Sequence, residues 1–366
     1  MIEGVPSAYL DTLEAWPTFG FGNKDIDGLL PVCRVSGWRG FQDALSHEYF
    51  NRPGAELIYR GHRRHEWQLT PTLGRYTTSG VILKKQADRQ LEEFRYAMRG
   101  RGARFDVDED PNELWAYGQH HGLATPLLDW TKSPFVALFF AFADRDEDHE
   151  QPNPSRPIFI LNRTAMAELD ETLIVQPMRS DHTRLINQAG LFTISPLGEK
   201  TLITHIMDLL AETKVDMDDA AKVAEYICKI HIPCDANDRL ACMRTLKMMN
   251  LHHGTLFPDP IGASRYCNDW CGSRIDEFNP AAPPPTANED GQPSRLPETV
   301  HTEPAAQEAT AATHGMLVAI LEEHLSGTIL PSRDRLLEQA RLLDENFAEQ
   351  AGIDWMRRPT QEAQLR

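Results

Sequence analysis

The stretch QHHGLATPLLDWTKSPFVALFFAFA, residues 119–143, decides the fold. Gly122 can adopt the left-handed conformation that ends a helix, so the preceding ELWAYGQHHG reads as a helix closing there. LLDW follows as a short strand. Ser133-Pro134 then opens an apolar helix, with proline at the first-turn position where its missing N–H costs nothing. Short strands interleaved with helices without a regular βαβ period, and no glycine-rich phosphate loop after a strand, suggest α+β rather than a doubly wound parallel sheet.

The same alternation continues outward. GWRGFQDALSHEYF places Phe41, Leu45 and Tyr49 at four-residue spacing and predicts a helix. ELIYRGH predicts a short strand, and EWQLTPTLGR a loop that Pro71 and Gly74 keep irregular. A charged helix is expected from about residue 82 to 98, and Asp110 or Asn112 as the cap of the next. RPIFILN, TLIVQP and CKIHIP predict strands; RTAMAELD, DDAAKVAEYI and NDRLACMRTLKMMN predict helices; GTLFPDP predicts a terminal loop. The expected class is α+β, a small mixed or antiparallel sheet with surrounding helices.

Residues 1–35 predict an irregular lead-in, 36–276 the α+β domain, and 277–313 a linker. The linker reading rests on proline, alanine and acidic residues with too little apolar surface to offset ordering. Residues 314–366 carry helical periodicity at Leu336, Leu337, Ala340 and Leu343. So small a helical segment is expected to dock on the main domain or on a protein partner.

The longest apolar run, Phe135–Phe142, is far shorter than the ~20 residues of a membrane-spanning helix. No charged-then-apolar leader opens the sequence, so no membrane partner and a cytoplasmic location are expected. The six cysteines are expected to be thiols. Cys267 and Cys271, with His252 and His253 upstream, have too loose a spacing for a zinc site. Acidic residues outnumber basic ones 54 to 37, a net charge of −17 that repels nucleic acid on average. The segment from Arg60 to Arg104 runs opposite in sign and suits either an anionic ligand or a solvated face.

Certain residue types invite chemistry. Arg60, at the end of a short strand, can hold a phosphate, a carboxylate or a ribose hydroxyl, or can form a structural ion pair. Trp67 and Leu69 alternate as core residues do. His120 and His121 are adjacent and diverge by about 100° on a helix, so they cannot readily share a metal. His121 can act as an acid, a base or a structural donor. Asp129, between Leu128 and Trp130, is expected to be at least partly buried and to need a partner, with Arg60 the first choice.

In order, YRG, W-x-L-x-P-x-L-x-R, QHHGLATPLLDWTKSPFVALFFAFA, RLINQAGLF and LFPD resemble the FRG domain over roughly residues 36–262, with Tyr59 in place of the first phenylalanine. That resemblance implies a bacterial or phage accessory or defence-type module. A weaker similarity is to the ADP-ribosyltransferases, which implies NAD as substrate. Tyr59-Arg60-Gly61 would be the NAD-holding element of the first strand, and Thr131 with Ser133 the later hydroxyl element. Gln188 stands where that family carries a glutamate. The similarity would have Arg60 hold the diphosphate or ribose, Thr131 touch the ribose, His121 and Asp129 orient the nucleotide or move a proton, and Trp130 or Tyr59 stack on a ring.

Two functional expectations result. One is an NAD-dependent ADP-ribosyltransferase-like toxin or anti-phage effector that modifies a protein or nucleic acid. The other is a non-catalytic module that binds a nucleotide or a protein partner, with the C-terminal helices recruiting that partner.

Overall fold

The computed structural model describes residues 9–100, 110–147, 149–177 and 183–272. The start of the lead-in, the linker at 277–313 and the C-terminal helical segment lie outside them. The architecture is α+β, as expected: one mixed sheet, ordered β1-β2-β8-β5-β3-β4-β7-β6, with helices on both faces. Its strands are β1 (Gly20–Phe21), β2 (Pro31–Arg34), β3 (Leu57–Gly61), β4 (Leu127–Thr131), β5 (Ser155–Asn162), β6 (Ile174–Val175), β7 (Gly190–Ile194) and β8 (Ile227–Pro233). Every pairing is antiparallel except β2 with β8.

The longer helices are α1 (Trp38–Ala44), α2 (Lys84–Ala97), α3 (Pro111–His120), α4 (Pro134–Phe142), α5 (Arg163–Leu169), α6 (Leu202–Ala211), α7 (Ala236–Met248) and α8 (Pro260–Gly272). Two expectations change. The lead-in is not irregular: it supplies β1 and β2, and Val32 and Cys33 pair with Lys229 and Ile230 of β8. The expected terminal loop GTLFPDP instead begins in a short helix, His253–Leu256, and ends at the first residue of α8.

Alternation along the strands sorts the core into two faces. On one, Tyr59, Ile158, Ile160, Cys228 and Ile230 pack against α4 and α7. Farther along that face, Leu127 and Phe192 pack against α2 and α3. On the other, Ile58, Leu128, Trp130, Phe159 and Leu161 meet Met166 of α5 and Leu202, Ile206 and Leu210 of α6. Phe139 and Phe142 of α4 are fully buried, and each such burial contributes roughly 1.5–3 kcal/mol relative to exposure.

Helix α4 starts where the sequence says it should. Ser133 caps it, its Oγ accepting the Val136 N–H at 3.4 Å, and Pro134 occupies the first turn. It lies so close to β3 that a Cβ on Gly61 would sit 1.9 Å from the Ala137 carbonyl oxygen and 2.8 Å from the Ala141 nitrogen. The glycine of the Tyr-Arg-Gly triplet is therefore required by helix packing on the strand.

Behind the sheet's opposite face lies a buried polar cluster. Lys229 Nζ donates to Asp27 Oδ1 at 3.0 Å, to the Ile26 carbonyl at 2.9 Å and to the His65 carbonyl at 2.6 Å, which uses all three of its protons. His231 Nε2 lies 2.9 Å from Asp27 Oδ1, and its Nδ1 lies 2.8 Å from Ser155 Oγ. A carboxylate only accepts, so Nε2–H donates to Asp27, and Ser155 donates to the bare Nδ1. The order of groups is that of a nucleophilic triad. Ser155, His231 and Asp27 are nonetheless all fully buried, so no substrate reaches the hydroxyl.

This cluster makes stability depend on pH. Burial, with the Lys229 charge beside it, lowers the His231 imidazole to about 4 despite its bond to Asp27. The unfolded chain takes up that proton near its ordinary value, so stability is full above it and falls as pH drops towards the folded value. The loss is about 3 kcal/mol over that window. Burial pushes the Asp27 carboxyl up, but its bond from His231 and the Lys229 charge prevail and leave it at about 2. Its share is lost later, as pH falls from the ordinary carboxylate value towards about 2. Urea unfolding between pH 7 and pH 4 should show the first decline; a flat profile would refute it.

Candidate functional site

The two helical layers on one sheet face part between α3 and α4, and a cleft of about 350 Å³ opens there. Its floor is the row Tyr59, Gly61, Asp129, Thr131 and Phe192, which share one pleat face because Tyr59 pairs with Thr131 and Asp129 with Phe192. Ala116, Gln119 and His120 of α3 form one wall, and Ala137 and Phe140 of α4 the other. Arg60, Arg63, Arg75 and Arg184 also reach it, against two lining carboxylates, Asp129 and Asp144. In a chain of net charge −17 this is a local reversal of sign, suited to an anion.

Asp129 differs from the expectation. Its partner is indeed Arg60, but the side chain is 62% exposed and Arg60 Nη1 stands 3.5 Å from Oδ2. The two helical layers diverge over this one position, while Leu127 and Thr131 on either side of it are covered. The stronger contact runs from Arg60 Nη1 to the Asp129 backbone carbonyl at 2.6 Å. Only Tyr59 and Thr131 pair between β3 and β4, so the guanidinium fills the place where the ladder stops.

The carboxylate is oriented from α3. Gln119 Nε2 donates to Asp129 Oδ1 at 2.8 Å, and the buried Thr125 hydroxyl donates to Gln119 Oε1, which fixes the amide's direction. Arg60 is oriented in turn by His62, whose Nε2 accepts from Arg60 Nε at 2.9 Å. Burial and then the Arg60 charge hold His62 well below its ordinary value, so it is neutral. Its remaining proton is on Nδ1, facing the Trp67 carbonyl at 3.4 Å. His62 was not singled out from sequence; its position two residues after Arg60, on the same strand side, was the available signal.

The cations are not equivalent. Arg63 is held by Glu150, and Arg184 by Asp259. Arg75 is exposed; its Nε donates to the Thr70 carbonyl at 3.2 Å, and its Nη groups have no bond or carboxylate among the described residues. Trp67, expected in the core, is 43% exposed and lines the cleft with Arg63 5.3 Å above its ring. It falls in a turn, where strand alternation does not apply. Leu69 is buried as expected.

Several expected ligand residues have other work. His121 is the exposed cap after α3 and stays out of the cleft, whereas His120 lines it. The i, i+4 spacing of Ala116 and His120 was the clue. Ser133 is the α4 cap and does not line the cleft. Thr131 borders it, but its hydroxyl donates to the Gln188 carbonyl at 2.6 Å and accepts the Ser133 N–H at 3.0 Å.

Gln188 Nε2 donates to the Leu256 carbonyl at 3.0 Å. Trp130 is buried in the opposite core, Nε1 donating to Thr193 Oγ1 at 3.0 Å, so neither ring face is free to stack. Tyr59 is buried with its ring against Phe50, 6.4 Å between centroids, and burial raises its phenol to about 12. Among the described residues no group of three or more histidine, cysteine, aspartate or glutamate side chains is arranged to hold a metal, and no helix is long and apolar enough to cross a membrane. His253 pairs with Asp269, and Cys267 and Cys271 are exposed.

The family model of the FRG domain matches residues 55–150. That span runs from β3 through α4 and supplies Arg60, Gln119, His120 and Asp129, though it is narrower than the resemblance read from sequence. No curated protein matches the chain, and no solved structure does. Arg184, Gln188 and Phe257 lie outside the matched span and complete the far side of the cleft.

Proposed function

We propose that the cleft binds a nucleotide through its guanidinium groups and that the ligand is NAD, cleaved at its nicotinamide–ribose bond with transfer of ADP-ribose to a macromolecule. One observation carries this reading: an exposed carboxylate, aimed by Gln119 and Arg60, on the floor of a cleft with four arginines. Breaking a glycosidic C–N bond builds positive charge at the anomeric carbon, and a fixed carboxylate nearby stabilises it. In this scheme Asp129 takes the part that the sequence left to Gln188, whose amide is bound to Leu256. Arg60 and His120 hold the phosphates, and Phe140 and Trp67 offer apolar surface to a ring.

A ligand that binds only the folded state raises its stability, by about 2.7 kcal/mol at a hundredfold excess over Kd. NAD and ADP-ribose are expected to raise the melting temperature of the wild type and to lose that effect in Arg60→Ala. Asp129→Asn should still bind NAD but release nicotinamide about 10²–10³ times more slowly. Absence of any NAD or nucleotide effect in the wild type would end this reading. A nucleotide-dependent shift without nicotinamide release would support the second one, a non-catalytic nucleotide-binding module. The use of Thr131, Gln188 and Ser133 in internal hydrogen bonds favours that alternative.

A further inference from the structure

Behind Arg60 and Asp129 the cleft continues into a second lobe of about 250 Å³. The lobes share Arg60, Arg75, Gln119 and Asp129, so the oriented carboxylate stands at the neck between them. Leu123 and Ala124 give the second lobe an apolar side, and Tyr76 lies beside Arg75 in it with 78% of its surface exposed.

We propose that this lobe is a subsite for a nucleobase and its attached phosphate. An exposed tyrosine has a face free for stacking, and the adjacent Arg75 is the cleft arginine without a carboxylate partner among the described residues. That pairing of an aromatic platform with a cation is how proteins hold single nucleotides of a strand. Leu123 and Ala124 offer the base an apolar side, and the one carboxylate lining the lobe, Asp129, is paired with Arg60.

Resting on the proposed transfer from NAD, the lobe also has a place in the reaction: it is the acceptor side. The bond from the ribose anomeric carbon to nicotinamide breaks at the neck, and its electron pair leaves with nicotinamide. A nitrogen or hydroxyl of the nucleotide in the second lobe forms the new bond, and its proton passes to the Asp129 carboxylate.

The test is fluorescence anisotropy without NAD, using a 5′-phosphorylated single strand of about eight nucleotides and, separately, a fluorescent AMP. Wild type should bind at least one of them, and Tyr76→Ala and Ala124→Phe should each raise Kd at least about tenfold, while Met248→Ala on α7 changes nothing. Strand binding assigns the lobe to nucleic acid, and binding of AMP alone assigns it to free nucleotides. Binding of neither, or unchanged binding in both lobe variants, overturns the proposal. With labelled NAD added, label on polypeptide but not on the nucleotide probe would overturn the acceptor role. NAD without effect beside a probe that still binds would remove the NAD reading and leave the subsite.

Discussion

Gly61→Ala is expected to destabilise the domain by about 3 kcal/mol or more, at or beyond the upper end for overpacking. The added Cβ would meet the Ala137 carbonyl oxygen at 1.9 Å, and that atom belongs to backbone that cannot rotate aside. Relief requires α4 to lift from β3, which uncovers the core formed with Phe139, Ile158 and Tyr59. The urea midpoint should fall while the slope of the unfolding free energy with denaturant holds. A variant as stable as the wild type would show that α4 does not approach β3 so closely. Because α4 also forms one wall of the cleft, any folded fraction should bind ligand less well.

Lys229→Met should cost about 3–5 kcal/mol, the range for a buried pair that loses one partner. The carboxylate of Asp27 would stay fully buried with the neutral His231 and Tyr9 as its only side-chain partners among the described residues. Losing the Lys229 charge also raises the Asp27 carboxyl, so acid unfolding should begin at a higher pH. An exposed pair provides the contrast: Lys84 and Asp88 on α2 are 3.0 Å apart in solvent, and Lys84→Met should change stability by less than about 1 kcal/mol. Equal effects at the two lysines in urea unfolding would mean that burial of the Asp27–Lys229 pair has no energetic consequence.

Local signals set much of the fold. Asp110, Gly122 and Ser133-Pro134 bound α3 and α4 where their side chains and backbone freedom say they should. The central strands β5 and β8 were legible as apolar runs buried on both faces. Of the edge strands, β6 was legible within TLIVQP, whereas β1 has two residues, too few for a period to register. Its neighbour β2 gains its place only by pairing with β8 far along the chain.

The candidate site divides in the same way. The sequence by itself determined that Arg60 ends a strand, that Asp129 lies within one, and that a helix ending in two histidines leads into it. Local rules of capping and periodicity act over a few residues and suffice for that. Only the tertiary structure decided that Asp129 is exposed, that His120 rather than His121 faces the cleft, and that Thr131, Ser133, Trp130 and Gln188 are bound internally. Exposure at one strand position depends on where two helical layers part, and a hydroxyl's availability depends on carbonyls that distant segments bring to it. Those are properties of packing, which no short window of sequence contains.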